Sequence, residues 1–213
     1  MRITGGQAAR RQLKVPKGMG VRPTPDLVKQ AVFNSLGAWV VDARVLELFG
    51  GTGALSLECL SRGARGCICV EKSPRHAAVL RANVVAAGFA PESLQVRTQD
   101  VFAVLPQLVQ AGEQFDLILA DPPYGEKNVG RRSESFAQQL LDQPDLPRLL
   151  AFGGRFVLGH ASRDQLTIPA GWIERKVLKH GDCSMRFFEP TAPLNAAAPA
   201  RVENPAEIQL PNS

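Results

Sequence analysis

Four cysteines, three histidines and no extended apolar run leave several chemistries without material in this chain. Cys59, Cys67, Cys69 and Cys183 form no zinc-type CxxC pairing, which argues against a metal ribbon and against a disulfide scaffold. Cys67 and Cys69 stand two apart in an apolar segment, on one face of a strand, as small buried hydrophobes. His76, His160 and His180 are scattered, with no spacing that pairs them with a metal or a nucleophile. No metal is expected. No stretch approaches the roughly 20 apolar residues of a membrane span. The start, Met1-Arg2-Ile3-Thr4-Gly5-Gly6, lacks the apolar stretch of a signal peptide. A cytoplasmic protein without a membrane partner is expected. There is no internal repeat, and after Pro190 no apolar period remains among the Ala, Pro and Asn residues, so residues 191–213 read as a disordered tail.

What is present suits one domain with extensions. The 213 residues can bury a full core, and 45% apolar with 21% charged residues is ordinary for a globular protein. No long apolar stripe is left over, so a monomer is expected. The charge is uneven. Residues 1–30 hold seven basic side chains against the single acid Asp26, while the whole chain is only +5, so the remainder is close to neutral. Either a polyanion, nucleic acid first, meets this segment, or it is a solvated basic terminus.

Residues 1–20 alternate apolar and basic positions, as in a short hairpin with a long loop around Pro16-Lys17-Gly18. Thr24-Pro25 reads as an N-cap followed by proline at the first helical position, with the amphipathic helix running to Gly37. From Arg44 strands and helices alternate: strands at 45–49, 67–70, 94–97, 115–120 and 155–158, each of the first four followed by a helix, with helical residues near 134–141. Two last strands, 173–178 and 184–188, are joined by Lys179-His180-Gly181-Asp182, which favours an antiparallel hairpin at the sheet edge. Such βα repetition builds a mostly parallel, doubly wound α/β sheet.

The chemistry gathers at strand ends. Asp121-Pro122-Pro123-Tyr124 follows the buried run Phe115–Ala120. The prolines stiffen the turn and cannot donate, leaving carbonyls to accept, and the tyrosine offers a ring for stacking; a nucleobase amine suits both. The alternative is a strand terminator with Tyr124 packed inward. Gly50-Gly51-Thr52-Gly53 permits close backbone approach to a ligand, but Ser56 meets the third small position of a dinucleotide fingerprint only approximately. Glu47 beside this loop repels a pyrophosphate and suits a cation. Glu71, 20 residues after Gly51, can accept from ribose hydroxyls, and Asp100 from an adenine amine. A ribose, an adenine and a cationic amino-acid end together describe S-adenosylmethionine.

These ordered sites resemble a class I, Rossmann-like S-adenosylmethionine-dependent methyltransferase. More narrowly, the chain resembles the RsmD family, bacterial methyltransferases of a guanine N2 amine in small-subunit ribosomal RNA. The matching residues include Arg2-Ile3-x-Gly5-Gly6, Leu13-Lys14-Val15-Pro16, Arg22-Pro23-Thr24, Phe33-Asn34-x-Leu36, Gly51-x-Gly53-Ala54-Leu55, Leu60-Ser61-Arg62-Gly63-Ala64, Val70-Glu71-Lys72, Leu80-Arg81-x-Asn83 and the DPPY turn. The resemblance covers residues 1–190. Departures are Glu47 for Asp, Gly50 for Ala, Thr52 for Ser, Lys29-Gln30 for Arg-Glu, and Gly159-His160 where an acid commonly ends the fifth strand.

The resemblance implies a seven-stranded sheet with an antiparallel edge strand and three parts: a basic extension over 1–40 for RNA contact, a methyltransferase domain over 41–190, and the tail. It implies cofactor contacts from Glu47, Phe49, Gly51, Gly53, Glu71, Lys72, Asp100, Val101 and Asp121. RNA contacts are expected from Arg10, Arg11, Lys14, Lys17 and Arg22, with the small ribosomal subunit as partner. Catalytic roles fall to Asp121, Pro122 and Tyr124: acceptance of the amine hydrogens by Asp121 and the Pro122 carbonyl, and stacking by Tyr124. Rival readings are an amino methyltransferase of DNA adenine or protein glutamine, and a non-catalytic RNA-binding protein that kept the fold.

Overall fold

The computed structural model describes residues 1–15, 24–124 and 131–191. The expected loop around Lys17 and the expected tail beyond Thr191 lie outside these residues, as do Lys17 and Arg22 themselves. Among the described residues no helix is long and apolar enough to cross a membrane.

Seven strands form one sheet: β1 Arg44–Leu48, β2 Gly66–Val70, β3 Leu94–Arg97, β4 Phe115–Ala120, β5 Leu150–Ala161, β6 Trp172–His180 and β7 Cys183–Pro190. Their spatial order is β3-β2-β1-β4-β5-β7-β6. The first five run parallel, and β7 inserts antiparallel between β5 and β6. The terminal hairpin is therefore at the edge as expected, but its antiparallel member is internal and β6 is the outer strand. Helices α1 (Asp26–Leu36), α2 (Ala54–Ser61), α3 (Pro74–Ala86), α4 (Val101–Gln110), α5 (Phe136–Leu141) and α6 (Asp145–Arg148) complete the described elements, with two short 3₁₀ turns.

Side-chain alternation in the strands divides the core into two layers. Val45, Cys67, Cys69, Leu117, Leu119 and Val157 pack on the side of α1, α2 and α3. Leu46, Leu48, Ile118, Phe156, Leu158 and Phe188 pack on the side of α4, α5 and α6. On the latter side Phe156, Trp172 and Phe188 lie with ring centroids 5.3–6.0 Å apart, and the Trp172 indole N–H donates to the Leu141 carbonyl. All four cysteines are free and buried.

The amino-terminal arm belongs to this core. Ile3 N–H donates to the Arg11 carbonyl and Leu13 N–H to that of Met1, around an Arg2–Gln12 bridge, so a small hairpin forms. Its Ile3, Ala8 and Leu13 enter the layer of α1 and α2. Lys29, fully buried on α1, donates to the Arg2 carbonyl and pairs with Asp26 at 3.2 Å and Glu58 at 3.9 Å. Glu58 also accepts from Thr4 N–H and Oγ1, at 2.8 and 2.6 Å. A buried charge needs such partners, because removing one leaves the other uncompensated at a cost of about 3–5 kcal/mol. The lysine standing at the family's arginine position is thus a structural tie.

Thr24 does not cap α1. Pro25 occupies the cap position without a side-chain bond, and the Thr24 hydroxyl donates instead to Asp121 Oδ2 at 2.5 Å. A hydroxyl–carboxylate bond is charge-assisted and stronger than a neutral cap bond, and tertiary packing brings the carboxylate within reach.

Candidate active site

A cavity of about 960 Å³ opens over the carboxyl ends of β1, β2, β3 and β4, where open α/β sheets bind ligands. One part of its wall is built by Phe49, Gly51, Glu71, Lys72, Asp100 and Val101. Phe49 has a φ of 58°, so the chain leaves β1 abruptly and the ring turns toward Phe102 and Phe136, at centroid distances of 6.2 and 5.5 Å. Such a turn is strained for a non-glycine residue. Glu71 Oε2 accepts from Gly51 N–H at 2.7 Å and Oε1 from Ser73 N–H at 2.7 Å, which fixes the carboxylate while leaving further lone pairs. Asp100 caps α4 through Phe102 N–H at 2.9 Å and pairs with Lys72 at 3.0 Å. The Lys72 bond holds its carboxyl below the usual range.

The second part of the wall carries Thr24, Asp121, Pro122, Pro123 and Tyr124. Asp121 is half-buried as a residue, yet its Oδ1 is shut off from solvent and has no hydrogen-bond partner among the described residues. Burial pushes the carboxyl's pKa up, and the Thr24 hydroxyl opposes that shift. Tyr124, the only tyrosine of the chain, is partly buried against the core and still lines the cavity. Its hydroxyl bonds the Cys183 thiol, whose pKa burial raises. Asp121 and Tyr124 share one cavity with Glu71 and Asp100.

Two of the expected cofactor contacts do not line this cavity. Glu47 is not on the cavity wall: strand parity turns it with Val45 toward α2, where Oε2 accepts from Ser56 N–H at 2.9 Å, from the Ser56 hydroxyl and from the Cys69 thiol at 3.4 Å. Full burial raises its pKa to about 7. Gly53 is likewise behind the wall, at the cap of α2 with φ 75°, where a Cβ would stand 2.8 Å from Leu80 Cγ. Gly50 serves a close approach as well, since a Cβ there would lie 2.1 Å from Cys69 Sγ. The loop's glycines outside Gly51 thus shape the turn without lining the cavity.

Of the expected RNA residues, Arg10, Arg11 and Lys14 are exposed on the arm and none lines the cavity. Arg11 reaches the Ala86 carbonyl at 3.3 Å, and the Lys14 backbone is clasped by Asn83, at 2.8 and 3.0 Å. This lays the arm along α3. Arg163, His180, Asp182 and Cys183 also line the cavity, and sequence reasoning placed none of them in the site. His160, next to Gly159, is structural: burial drops its pKa to about 4, and Nε2 accepts from Arg186 Nε at 2.8 Å. Trp39 packs under Arg155, 4.0 Å from guanidinium to ring centre, and Arg132 pairs with Asp142.

Comparison with known proteins identifies the family and the fold. The family described as conserved hypothetical protein 95 matches residues 1–189. "Ribosomal RNA small subunit methyltransferase D" of Escherichia coli strain K12 is 36% identical over 90% of this chain and 91% of its own length. Among solved structures, a hypothetical protein of Thermus thermophilus superposes with a TM-score of 0.71 at 29% identity, covering 89% of this chain and 99% of that one. A putative methyltransferase of Escherichia coli follows with a TM-score of 0.68 at 28% identity, over 89% and 97% of the two chains. The sheet is the class I methyltransferase sheet, and the chain belongs to the conserved hypothetical protein 95 family, the RsmD methyltransferases.

Proposed function

We propose that the protein transfers a methyl group from S-adenosylmethionine to the exocyclic N2 amine of one guanine in small-subunit ribosomal RNA, in the cytoplasm and as a monomer. The observation that carries the reading is the placement of Asp121 and Tyr124 on the cavity that also holds Glu71 and Asp100. The relative in Escherichia coli, named for the small ribosomal subunit, supports the RNA class.

The residues present fit the cofactor. The wall combines the acceptors Glu71 and Asp100 with the rings of Phe49, Phe102 and Phe136, a setting for ribose hydroxyls and a flat base. When bound, S-adenosylmethionine supplies a methyl group already activated by a positive sulfur. The chain's own residues then have two tasks. Asp121 and the Pro122 carbonyl accept the amine hydrogens, so the nitrogen pyramidalises and its lone pair is freed from the purine ring. Tyr124 stacks on the extruded base. Holding the reactants in near-attack geometry contributes about 7–11 kcal/mol. Positive charge grows on the amine as the N–C bond forms and the S–C bond breaks; the Asp121 carboxylate stabilises it, and the surplus proton leaves to that carboxylate or to water.

Incubation with labelled cofactor and either naked small-subunit RNA or small-subunit particles tests the reading, with the product nucleoside mapped. N2-methylguanosine at a single position is the expected result. Label in DNA adenine or protein glutamine, or none in any substrate, overturns it.

A further inference from the structure

Asp121 is held from two sides by residues remote in sequence. Thr24, 97 residues away and only 9% exposed, donates its hydroxyl to Oδ2 at 2.5 Å. On the other side Oδ1 lies over Gly159 of β5: a Cβ there would stand 2.3 Å from Oδ1, 3.0 Å from Cγ and 3.1 Å from Met185 Sδ. Contacts under 3.0 Å do not occur, and Asp121 has no long chain with which to swing aside. Oδ1, buried without a partner among the described residues, keeps unused acceptor capacity.

We propose that Thr24 and Gly159 are positioning residues for methyl transfer: the threonine hydroxyl ties one oxygen of Asp121, and the missing Cβ provides the seat of the other. Together they fix the orientation of the Asp121 carboxylate on the cavity wall. The proposal rests on the base-amine reading above. It explains why a threonine at the entry of α1 leaves the helix cap unfilled.

The hydroxyl has an electrostatic effect besides. Asp121 carries a charge and offers both oxygens purely as acceptors only when ionised; burial disfavours that form, and the Thr24 bond favours it. Among the described residues, Cys183 on β7 feels the charge of this carboxylate and bonds Tyr124 of the same turn. His180 and Asp182 of the β6–β7 turn, Arg163 after β5, and Glu71, Lys72, His76 and Asp100 at the other end share the cavity. None of them replaces a lost hydroxyl at Oδ2.

Thr24→Val, Thr24→Ser and Gly159→Ala variants test this by two independent readouts. The first is carbon NMR titration of the Asp121 carboxyl, which needs no RNA. The second is turnover on small-subunit particles against pH, with cofactor affinity from calorimetry as a check on the fold. Expected are a higher titration midpoint for Asp121 in Thr24→Val, kcat lower by about tenfold with unchanged cofactor affinity, and an acidic limb moved to higher pH. Thr24→Ser restores all three, and Gly159→Ala lowers kcat with Thr24 intact. An unshifted midpoint in Thr24→Val, or a Thr24→Ser variant as impaired as Thr24→Val, overturns the proposal. An inactive wild type sinks the reading of the reaction, while the titration still decides the Thr24–Asp121 link.

Discussion

Glu47 and Ser56 face each other across the glycine loop, the glutamate Oε2 accepting the serine N–H at 2.9 Å and its hydroxyl besides. The contact anchors α2 to β1 and leaves a carboxylate in the core. Its folded pKa, about 7, stands above the ordinary 4.5, so the protonated form is the one the core prefers. Stability from this group is complete below pH 4.5 and is lost as pH rises through about 7, a change on the order of 3 kcal/mol. Glu47→Gln removes that slope. Urea unfolding should find the variant more stable than wild type at pH 8 and no more stable at pH 4.5.

Asp121→Asn keeps the volume and an oxygen for Thr24 but removes the charge that stabilises the developing positive nitrogen. Turnover should fall at least a hundredfold. Calorimetry should show cofactor affinity within a few-fold of wild type. Unaltered turnover removes Asp121 from catalysis.

Tyr124→Ala deletes the ring proposed to stack on the base. Base–aromatic stacking is worth about 1–3 kcal/mol, so KM for the RNA substrate should rise about tenfold or more. Tyr124→Phe keeps the ring and loses the hydroxyl with its bond to Cys183, so it should remain active. A Tyr124→Ala protein that melts earlier with unchanged kinetics would make the residue a packing group.

Replacing Arg10, Arg11 and Lys14 together by glutamine should weaken RNA binding at all sequences alike. Each lost phosphate contact lowers the slope of log affinity against log salt by about one. Cofactor affinity, set elsewhere, should not move. Filter binding at several salt concentrations reads both quantities, and an unchanged slope would mean the arm is a solvated terminus.

Gly50→Ala should destabilise the fold by about 1–3 kcal/mol, because its Cβ would meet Cys69 Sγ at 2.1 Å. Adding Cys69→Ala should recover much of the loss, measurable as coupling in a double-mutant cycle.

The parallel half of the sheet was legible because each strand is a short apolar run with a glycine or an acid at its end; β3 and β4 even begin and end where the pattern placed them. The fifth strand read as 155–158 and runs Leu150–Ala161. Gly153, at φ 70°, and Gly154 look like a loop locally, but a register shift against β4 absorbs them. Helix α6 escaped notice because four residues with a proline carry no helical period.

By itself, the sequence determined the reaction class: an acid, two prolines and a tyrosine at one strand end, with acids at the neighbouring ends, are local patterns that survive any packing detail. Only the tertiary structure decided which carboxylates face the cavity and which serve the core. Strand parity sends Glu47 inward to Ser56, while the turn brings Asp121 to Thr24, and neither partnership is visible along the chain. The physical reason is that a polar side chain goes to the strongest partner packing brings within about 3 Å, and that partner can lie 97 residues away.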